Sequence, residues 1–361
     1  MKALVLDVGW VNGLAAIRSL GRAGIEVLAL DHGSSPLGFR SRYATPVRVP
    51  DPAVDEEGFI ARVAECGPGV VFPTHDPPLN ALARNAERLD GFLFPFPAWS
   101  TLEAIQDKRH QLETARAAGV DTPETRYPAG ADEARAAAGE LGLPLLVKPR
   151  HPDGFKRRFG GQAFRCVTLD EVDRAYADAE PYGPMLQELI PGGDDELYSL
   201  GSYLDEAGEP LGLFSGRKLV QVPPEVGTCR VGEAVWVEEV VDAGLRLLRG
   251  LGFHGLSQVE FKRDPRDGRY KLMEVNPRLW QWHGLAAACG VDLPLIAYRD
   301  LTGGRVEPVS ANGARRVWAI SFMSGQRPRV PRPPYVDAVF ARDDLKPGLV
   351  HAARVVRGVF S

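Results

Sequence analysis

The sequence predicts an α/β protein, with an N-terminal parallel-sheet unit followed by a two-lobed α+β region. Three observations carry that expectation. The opening residues read strand, helix, strand, the repeat of a parallel sheet covered by helices. Pro95-Phe96-Pro97 then breaks the pattern. Beyond it, alternating apolar runs read as antiparallel strands and lead to a hairpin carrying two glutamates.

In the first unit, expected over residues 1–98, Ala3 to Leu6 reads as a buried strand, Leu14 to Arg22 as a helix, and Glu26 to Leu30 as a second strand ending at Asp31. A third strand is expected at Gly69 to Pro73, followed by Thr74-His75-Asp76 and a helix from Leu79 to Leu89. Polar turns after such strands are where α/β sheets bind ligands, so Asn12, Thr74, His75 and Asp76 face the expected cleft. The turn Gly9-Trp10-Val11-Asn12-Gly13 spaces its glycines as G-x-x-x-G rather than G-x-G-x-x-G, which argues against a dinucleotide site.

The next region, residues 99–190, opens with a helix after Ser100, a good N-cap residue, and this helix carries Asp107-Lys108. Leu145-Leu146-Val147-Lys148-Pro149 reads as a buried strand ending in lysine. His151 to Gly161 reads as a loop rich in cations and glycine, with Gly160 and Gly161 at its end. Met185 to Ile190 is another strand, stopped by Pro191-Gly192-Gly193. Over residues 191–326, Glu196 to Leu219 reads as antiparallel strands, Val235 to Leu251 as a helix closed by Gly252, and Leu285 to Ala288 as a short helix. Residues 327–361 are expected to hold an extended Pro-rich linker at 327–334 and a basic amphipathic helix from Leu349 to Phe360, which packs on the body or lies on a membrane surface.

The hairpin carries the chemistry. Glu260 and Glu274 lie in apolar-rich runs that are symmetric about the turn Asp264-Pro265-Arg266-Asp267-Gly268. Pairing across that turn sets the two carboxylates opposite each other, roughly 4.5–5.5 Å apart at Cβ. Asn276 shares the face of Glu274. Two carboxylates and an amide oxygen suit a hard cation such as Mg²⁺, whose remaining ligands come from water and phosphate. A solvated hairpin face is the plainer reading of the glutamates alone. Arg278, just beyond, and Lys108 and Lys148 elsewhere tilt the balance towards a nucleotide triphosphate, although each lysine singly reads as a surface charge. No Walker A sequence occurs.

Composition excludes several classes. The 361 residues are 44% hydrophobic and 25% charged with a net charge of -4, which is ordinary globular composition without the basic balance of a nucleic-acid binder. Cys66, Cys166, Cys229 and Cys289 are scattered and form no CxxC pair, so neither a zinc site nor a disulfide framework is expected, and a reducing cytoplasm fits. The opening apolar run is too short for a signal peptide, and no apolar stretch approaches the ~20 residues of a membrane helix.

The order of these pieces resembles the ATP-grasp superfamily of carboxylate-amine ligases over roughly residues 100–305. Within it the chain looks most like the predicted ATP-dependent carboligases that include D-aspartate ligase. The likeness rests on Lys108, Leu146-Val147-Lys148-Pro149, Gln187-Glu188-Leu189-Ile190-Pro191-Gly192, Gly216-Arg217-Lys218, Glu260 and Glu274-Val275-Asn276-Pro277-Arg278. It implies a pre-ATP-grasp domain at 1–98, a small lobe at 99–190 and a large lobe with the metal site at 191–326. It further implies that Lys108, Lys148 and the Gly160-Gly161 loop meet ATP phosphates. Gln187 and Glu188 would lie at the adenine with the backbone of Leu189 and Ile190, and Glu196 at the ribose. Lys218 and Arg217 approach the γ-phosphate in this scheme, Glu260, Glu274 and Asn276 bind metal, and Arg278 stabilises an acyl-phosphate. The implied cofactors are ATP and Mg²⁺, or Mn²⁺ in its place. The implied partners are a small carboxylate and an amine, with no nucleic acid or membrane, and a homodimer is compatible. The chain departs from the family in Phe155-Lys156-Arg157-Arg158-Phe159, where a compact Gly/Ser loop is usual.

Trp280, Trp282, His283, Asp76 and Thr228 are candidates for the substrate pocket, with core packing as the alternative for the tryptophans. Val222 to Thr228 resembles a substrate-side loop of the carboligases. Three rival functions are a bicarbonate-activating carboxylase, a non-catalytic ATP-binding module and, last, a dinucleotide dehydrogenase, which leaves the hairpin constellation unexplained.

Overall fold

A computed structural model of the chain describes residues 1–150, 154–223, 227–321 and 335–357. The expected linker at 327–334, His151 to Asp153, Pro224 to Val226 and the end of the expected terminal helix lie outside the described residues. The N-terminal unit comprises β1 (Lys2–Leu6), α1 (Val11–Arg22), β2 (Val27–Asp31), β3 (Thr45–Arg48), α2 (Glu56–Glu65), β4 (Gly69–Pro73) and α3 (Asp76–Arg84). Its four strands are parallel in the order β3-β2-β1-β4. Near-continuous apolar runs form β1 and β4 because helices cover both faces. β3 escapes the sequence reading because Thr45-Pro46-Val47-Arg48 is largely exposed at the sheet edge, where proline costs no ladder bond. Helix α3 starts at Asp76, earlier than Leu79, because Pro77 and Pro78 fall in its first turn, where the missing N–H is not needed.

The second unit comprises α4 (Trp99–Gln106), α5 (Lys108–Ala117), β5 (Thr125–Arg126), α6 (Ala131–Leu141), β6 (Leu145–Pro149), α7 (Phe155–Phe159), β7 (Phe164–Cys166), α8 (Leu169–Ala179) and β8 (Pro184–Glu188). Its strands form a four-stranded antiparallel sheet in the order β5-β8-β6-β7. Ser100 lies inside α4 rather than at its N-cap. Asp107 instead caps α5, its Oδ1 accepting from the N–H groups of Arg109 at 3.0 Å and His110 at 3.4 Å. The expected glycine-rich loop contains a helical turn, α7, ended by Gly160 at φ 72°. Phe155 and Phe159, one turn apart, close against each other at 4.8 Å between ring centroids, and Phe155 meets Phe164 at 5.1 Å, so apolar burial folds the segment.

The third unit comprises β9 (Leu197–Leu204), β10 (Pro210–Val222), β11 (Thr228–Ala234), α9 (Glu238–Gly250), β12 (Gly255–Arg263), β13 (Tyr270–Asn276), α10 (Gly284–Ala288), α11 (Leu293–Leu301), β14 (Val309–Ser310), β15 (Val317–Ala319), β16 (Val336–Asp337) and α12 (Leu345–Val356). Its eight-stranded sheet runs β13-β12-β9-β10-β11-β15-β16, with β14 beside β10. One core joins this sheet to the N-terminal unit, packing Val5, Leu14 and Phe72 with Phe214, Trp280, Trp282 and Trp318. The other face of the sheet buries α9 and α5. The small sheet has a core of its own around Val147, Phe155, Val172 and Leu186. The C-terminal segment is clasped to the first unit: Arg18 donates to Asp344 at 2.9 Å, and Ser41 adds a hydrogen bond to the same carboxylate at 2.8 Å. No helix among the described residues is long and apolar enough to cross a membrane, and all four cysteines are free.

Gly201 on β9 is a packing requirement. A Cβ there would sit 2.0 Å from the Trp280 ring, with Trp280 itself 2% exposed. Gly201→Ala is therefore expected to destabilise the fold by about 1–3 kcal/mol or more, read as a lower denaturation midpoint in urea. An unchanged midpoint would show that the ring has room to move.

Candidate active site

The hairpin forms in the expected register. β12 and β13 pair antiparallel with Glu260 directly opposite Glu274 and Gln258 opposite Asn276. The four side chains share one face, since residues two apart on a strand point the same way. Asn276 Nδ2 donates to Glu274 Oε1 at 2.9 Å and approaches Gln258 Oε1 at 3.4 Å.

Lys218 reaches this face from β10, two strands away. Glu260 lies opposite Ser199 on β9, and Ser199 lies opposite Gly216 on β10. Both intervening residues are small, so the Lys218 side chain, on the face of Gly216, extends across β9 and sets Nζ 2.6 Å from Glu260 Oε2. Burial opposes the Lys218 ammonium, but the charge and hydrogen bond of Glu260 raise its pKa overall. Glu260 is nonetheless raised itself. Burial pushes it up, the facing Glu274 adds to this, and Lys218 and Lys148 do not offset both. At Glu274 burial works against the charge, but Lys108, the Asn276 amide, Lys218 and Arg278 together hold the carboxyl below its ordinary value.

The small sheet supplies further cations. Lys148 ends β6 and donates from Nζ to Gln187 Oε1 at 2.8 Å, while Gln187 Nε2 is tied to Thr125 Oγ1 at 3.1 Å. Burial and the nearby Lys108 push Lys148 down to about 8, against the pull of Glu274 and Glu260. Lys108, at the start of α5, thus stands close enough for its charge to act on both Lys148 and Glu274.

Arg278 completes the cluster and binds it to the first unit. Its Nε donates to Asp76 Oδ1 at 2.5 Å, and its terminal nitrogen reaches Asp76 Oδ2 at 3.2 Å and Asn276 Oδ1 at 3.3 Å. Burial opposes the charge of Asp76, and Arg278 outweighs it, holding the carboxyl below the usual range.

Other candidates go elsewhere. Arg217 points to the opposite face from Lys218, as strand alternation requires, and pairs with its cross-strand neighbour Glu233 at 2.5 Å. Trp280 and Trp282 pack in the core against Phe214 rather than walling a cleft, because small residues such as Gly201 open the sheet to their rings. His283 is 1% exposed, with Nε2 at 2.9 Å from the Asn12 carbonyl, and burial lowers its pKa to about 4, which suits a neutral core residue rather than an accessible base. Thr228 is exposed at the start of β11. Glu188 is held by Lys271 at 2.9 Å and Arg266 at 2.6 Å, in a network with Asp264 that sequence reasoning missed. Just beyond it, the N–H groups of Leu189 and Ile190 carry no hydrogen bond among the described residues. Glu196 stands 3.7 Å from Arg263, and Gly160 and Gly161 follow α7.

The donor set fits a hard cation. Glu260 and Glu274 offer facing carboxylate oxygens, and Asn276 on the same face turns its Nδ2 to Glu274 and its Oδ1 to Arg278; burial and the facing Glu274 keep Glu260 raised despite Lys218, a cost that a divalent ion would relieve. Among the described residues no cluster of three or more His, Cys, Asp or Glu side chains is suited to a metal. An ion here would rest on two carboxylates and complete its shell with amide, water and phosphate oxygens.

Residues 233–305, which contain the hairpin, match the family described as carbamoyl-phosphate synthase L chain, ATP binding domain. The carbamoyl phosphate synthase large chain of Thermotoga petrophila is 24% identical over 307 residues, covering 79% of this chain and 27% of that protein. The chain thus spans about a quarter of the length of the curated relatives it matches. Among solved structures, the biotin carboxylase of Campylobacter jejuni in complex with β,γ-ATP superposes with a TM-score of 0.72 at 16% identity, covering 90% of this chain and 77% of that one. N5-carboxyaminoimidazole ribonucleotide synthetase from Thermus thermophilus superposes with a TM-score of 0.67 at 19% identity, covering 91% and 84%. The mixed α/β architecture matches theirs.

Proposed function

We propose that this chain is an ATP-dependent ligase that activates a small carboxylate as an acyl-phosphate and joins it to an amine, releasing ADP and phosphate. One observation carries the reading: Lys218 on β10 sits 2.6 Å from Glu260, and Lys108, Lys148 and Arg278, from other elements, stand near enough for their charges to act on the facing pair Glu260 and Glu274. Such a mixture of dense positive charge and facing carboxylates is what a metal-bound polyphosphate requires.

In this reading residues 1–98 form the pre-ATP-grasp domain, 99–190 and 191–326 the two lobes that hold the nucleotide, and 327–361 a C-terminal segment. Lys108 and Lys148 neutralise the α- and β-phosphates. The N–H groups of Leu189 and Ile190, without a partner among the described residues, read the adenine edge, and Glu196 takes the ribose. Glu188, already bound by Lys271 and Arg266, offers its remaining acceptor capacity to the adenine amino group. Mg²⁺, or Mn²⁺ in its place, held by Glu260, Glu274 and Asn276 would neutralise charge on the transferring phosphoryl group.

A carboxylate is a poor electrophile because its leaving group would be oxide. Phosphoryl transfer replaces that leaving group with phosphate, and an amine then displaces it. Lys218 neutralises the γ-phosphate, and Arg278 stabilises the acyl-phosphate and the tetrahedral species that follows. Positioning and charge neutralisation do the catalysis, so no serine or cysteine nucleophile is called for. The four free thiols suit a cytoplasmic setting. A bicarbonate-activating carboxylase is the second reading, favoured by the likeness to biotin carboxylase, and the same residues would serve it. ADP release that requires both a carboxylate and an amine supports the ligase, whereas release driven by bicarbonate alone supports the carboxylase.

Two expectations follow from the electrostatics. Glu274→Gln should lower ADP formation by about 10²-fold or more while leaving the thermal midpoint close to that of the parent; turnover at the parental rate would defeat the metal assignment. Lys148 loses its proton as pH rises through about 8 in the free protein. A bound polyphosphate favours the charged form, so nucleotide binding takes up a proton above that pH and affinity weakens as the pH climbs. Calorimetry across this range should show the trend in the parent and its loss in Lys148→Arg, whose guanidinium stays charged.

A further inference from the structure

Asp7 and His75 form a dyad at the carboxyl edge of the parallel sheet. β1 and β4 are neighbours with Leu6 paired to Pro73, so the residues that follow leave adjacent strand ends. Asp7 holds φ at 60°, the one positive φ outside glycine among the described residues. Strained backbone of this kind persists where the surroundings impose it, and it concentrates at functional sites. Its effect here is to present the Asp7 carboxylate to His75, with Oδ2 3.0 Å from Nδ1.

The hydrogen-bond pattern fixes the tautomer. Thr74 Oγ1 lies 2.7 Å from the Asp7 carbonyl and 3.0 Å from that of Leu6, so its one proton is committed to a backbone oxygen. Towards His75 Nδ1, 3.1 Å away, Thr74 Oγ1 therefore offers only a lone pair. The Asp7 carboxylate likewise only accepts. Nδ1 must carry the proton, which leaves the lone pair of the neutral ring on Nε2. Nε2 has no hydrogen-bond partner among the described residues, and the side chain is 41% exposed. Burial alone would raise Asp7, but the hydrogen bond from His75, with His32 and Arg278 behind, holds it below the ordinary range.

The dyad is joined to the cluster above. His75 precedes Asp76, which grips Arg278, which in turn touches Asn276. The charged groups around it are Asp7 on the β1 end, Asp31 at the end of β2, His32 beyond it, Asp76 on α3, Arg278 beyond β13 and Lys156 on α7.

We propose that Nε2 of His75 accepts the proton of the attacking amine, with Asp7 as its positioning residue. This rests on the ligase reading. The acceptor is an amine basic enough to arrive as ammonium. One of its protons passes to Nε2, which frees the nitrogen lone pair, and the Nδ1–H pairs with the Asp7 carboxylate. The lone pair attacks the acyl carbon and the C–N bond forms. The C–O bond to phosphate breaks, phosphate leaves with that electron pair and takes up the second N–H proton, and the imidazolium returns its proton to solvent.

The test compares two nucleophiles on the full chain. The proteinogenic amino acids and small dicarboxylic acids are screened as carboxylate donors with ATP, Mg²⁺ and hydroxylamine, which attacks without a base because it is largely unprotonated at neutral pH. The best donor is then assayed with a panel of amino acids and alkyl diamines as acceptors. For His75→Gln the ratio of amide to hydroxamate should fall by about 10²-fold, and for Asp7→Asn, a residue that tolerates positive φ, it should also fall. Added imidazole should restore part of the His75→Gln loss. Hydroxamate formation by the same samples reports that the variants are folded. An unchanged ratio, or equal loss of both products, overturns the assignment of His75 alone. A parent enzyme that forms no hydroxamate with any donor overturns the ligase reading and this inference with it.

Discussion

Two glutamates set face to face on neighbouring strands are the constraint to which the rest of the molecule answers. Like charges in that position repel, and burial removes the water that would screen them. The fold meets the difficulty with cations drawn from distant parts of the chain. Lys218 crosses β9 to Glu260, and Lys108, Lys148 and Arg278 bear on the same pair from α5, β6 and the end of β13. The balance is incomplete at Glu260, which stays raised beside its lysine. A protein selected only for stability has no reason to keep such a site. A protein that neutralises phosphate with lysine and metal has reason to keep both signs of charge close together.

The packing divides this work. The parallel sheet and the eight-stranded sheet share a core, so Asp76, Arg278 and the two glutamates are fixed relative to one another by continuous side-chain contact. Lys148 belongs to the small sheet, whose core is separate. The carboxylates and part of the cationic lining are therefore positioned by different cores. Gln187, tied to both Lys148 and Thr125, fixes the lysine on its own side.

Much of this was legible in the sequence because it depends on local pattern. The hairpin register follows from the turn at Asp264 to Gly268 and the equal arms beside it. The strand-helix-strand opening follows from apolar runs between glycine turns. What escaped depends on partners remote in the chain or on geometry that a residue string does not carry. Trp280 and Trp282 sit near β13 in sequence, yet a glycine on β9, far upstream, turns them into core. Arg217 and Lys218 are adjacent letters on opposite faces, and the alternation that separates them could have been applied to them as it was to Asn276. Phe155 and Phe159 carry the i, i+4 spacing of a helical turn, which the glycines and arginines around them obscured. Thr168 and Glu171 form a capping box that announces α8, a readable signal that went unused. The Asp7 and His75 pair had no such signal, since it exists only where two parallel strands end side by side.

Arg278 shows why the first sheet is part of the site rather than an appendage. Pro277 ends β13, and the next residue turns its guanidinium towards the start of α3, where Asp76 holds it in a two-point grip. A guanidinium bound on one edge keeps donors on the others, so the same group can serve an oxyanion while remaining fixed. The anchor comes from the sheet whose strand ends carry the Asp7 and His75 dyad, and the donors lie beside the strand that carries Glu274. The strand ends of one sheet and the glutamate-bearing hairpin of another are thus tied together by a single ion pair. Shifting that pair would move the amine side and the phosphate side of the proposed reaction apart together.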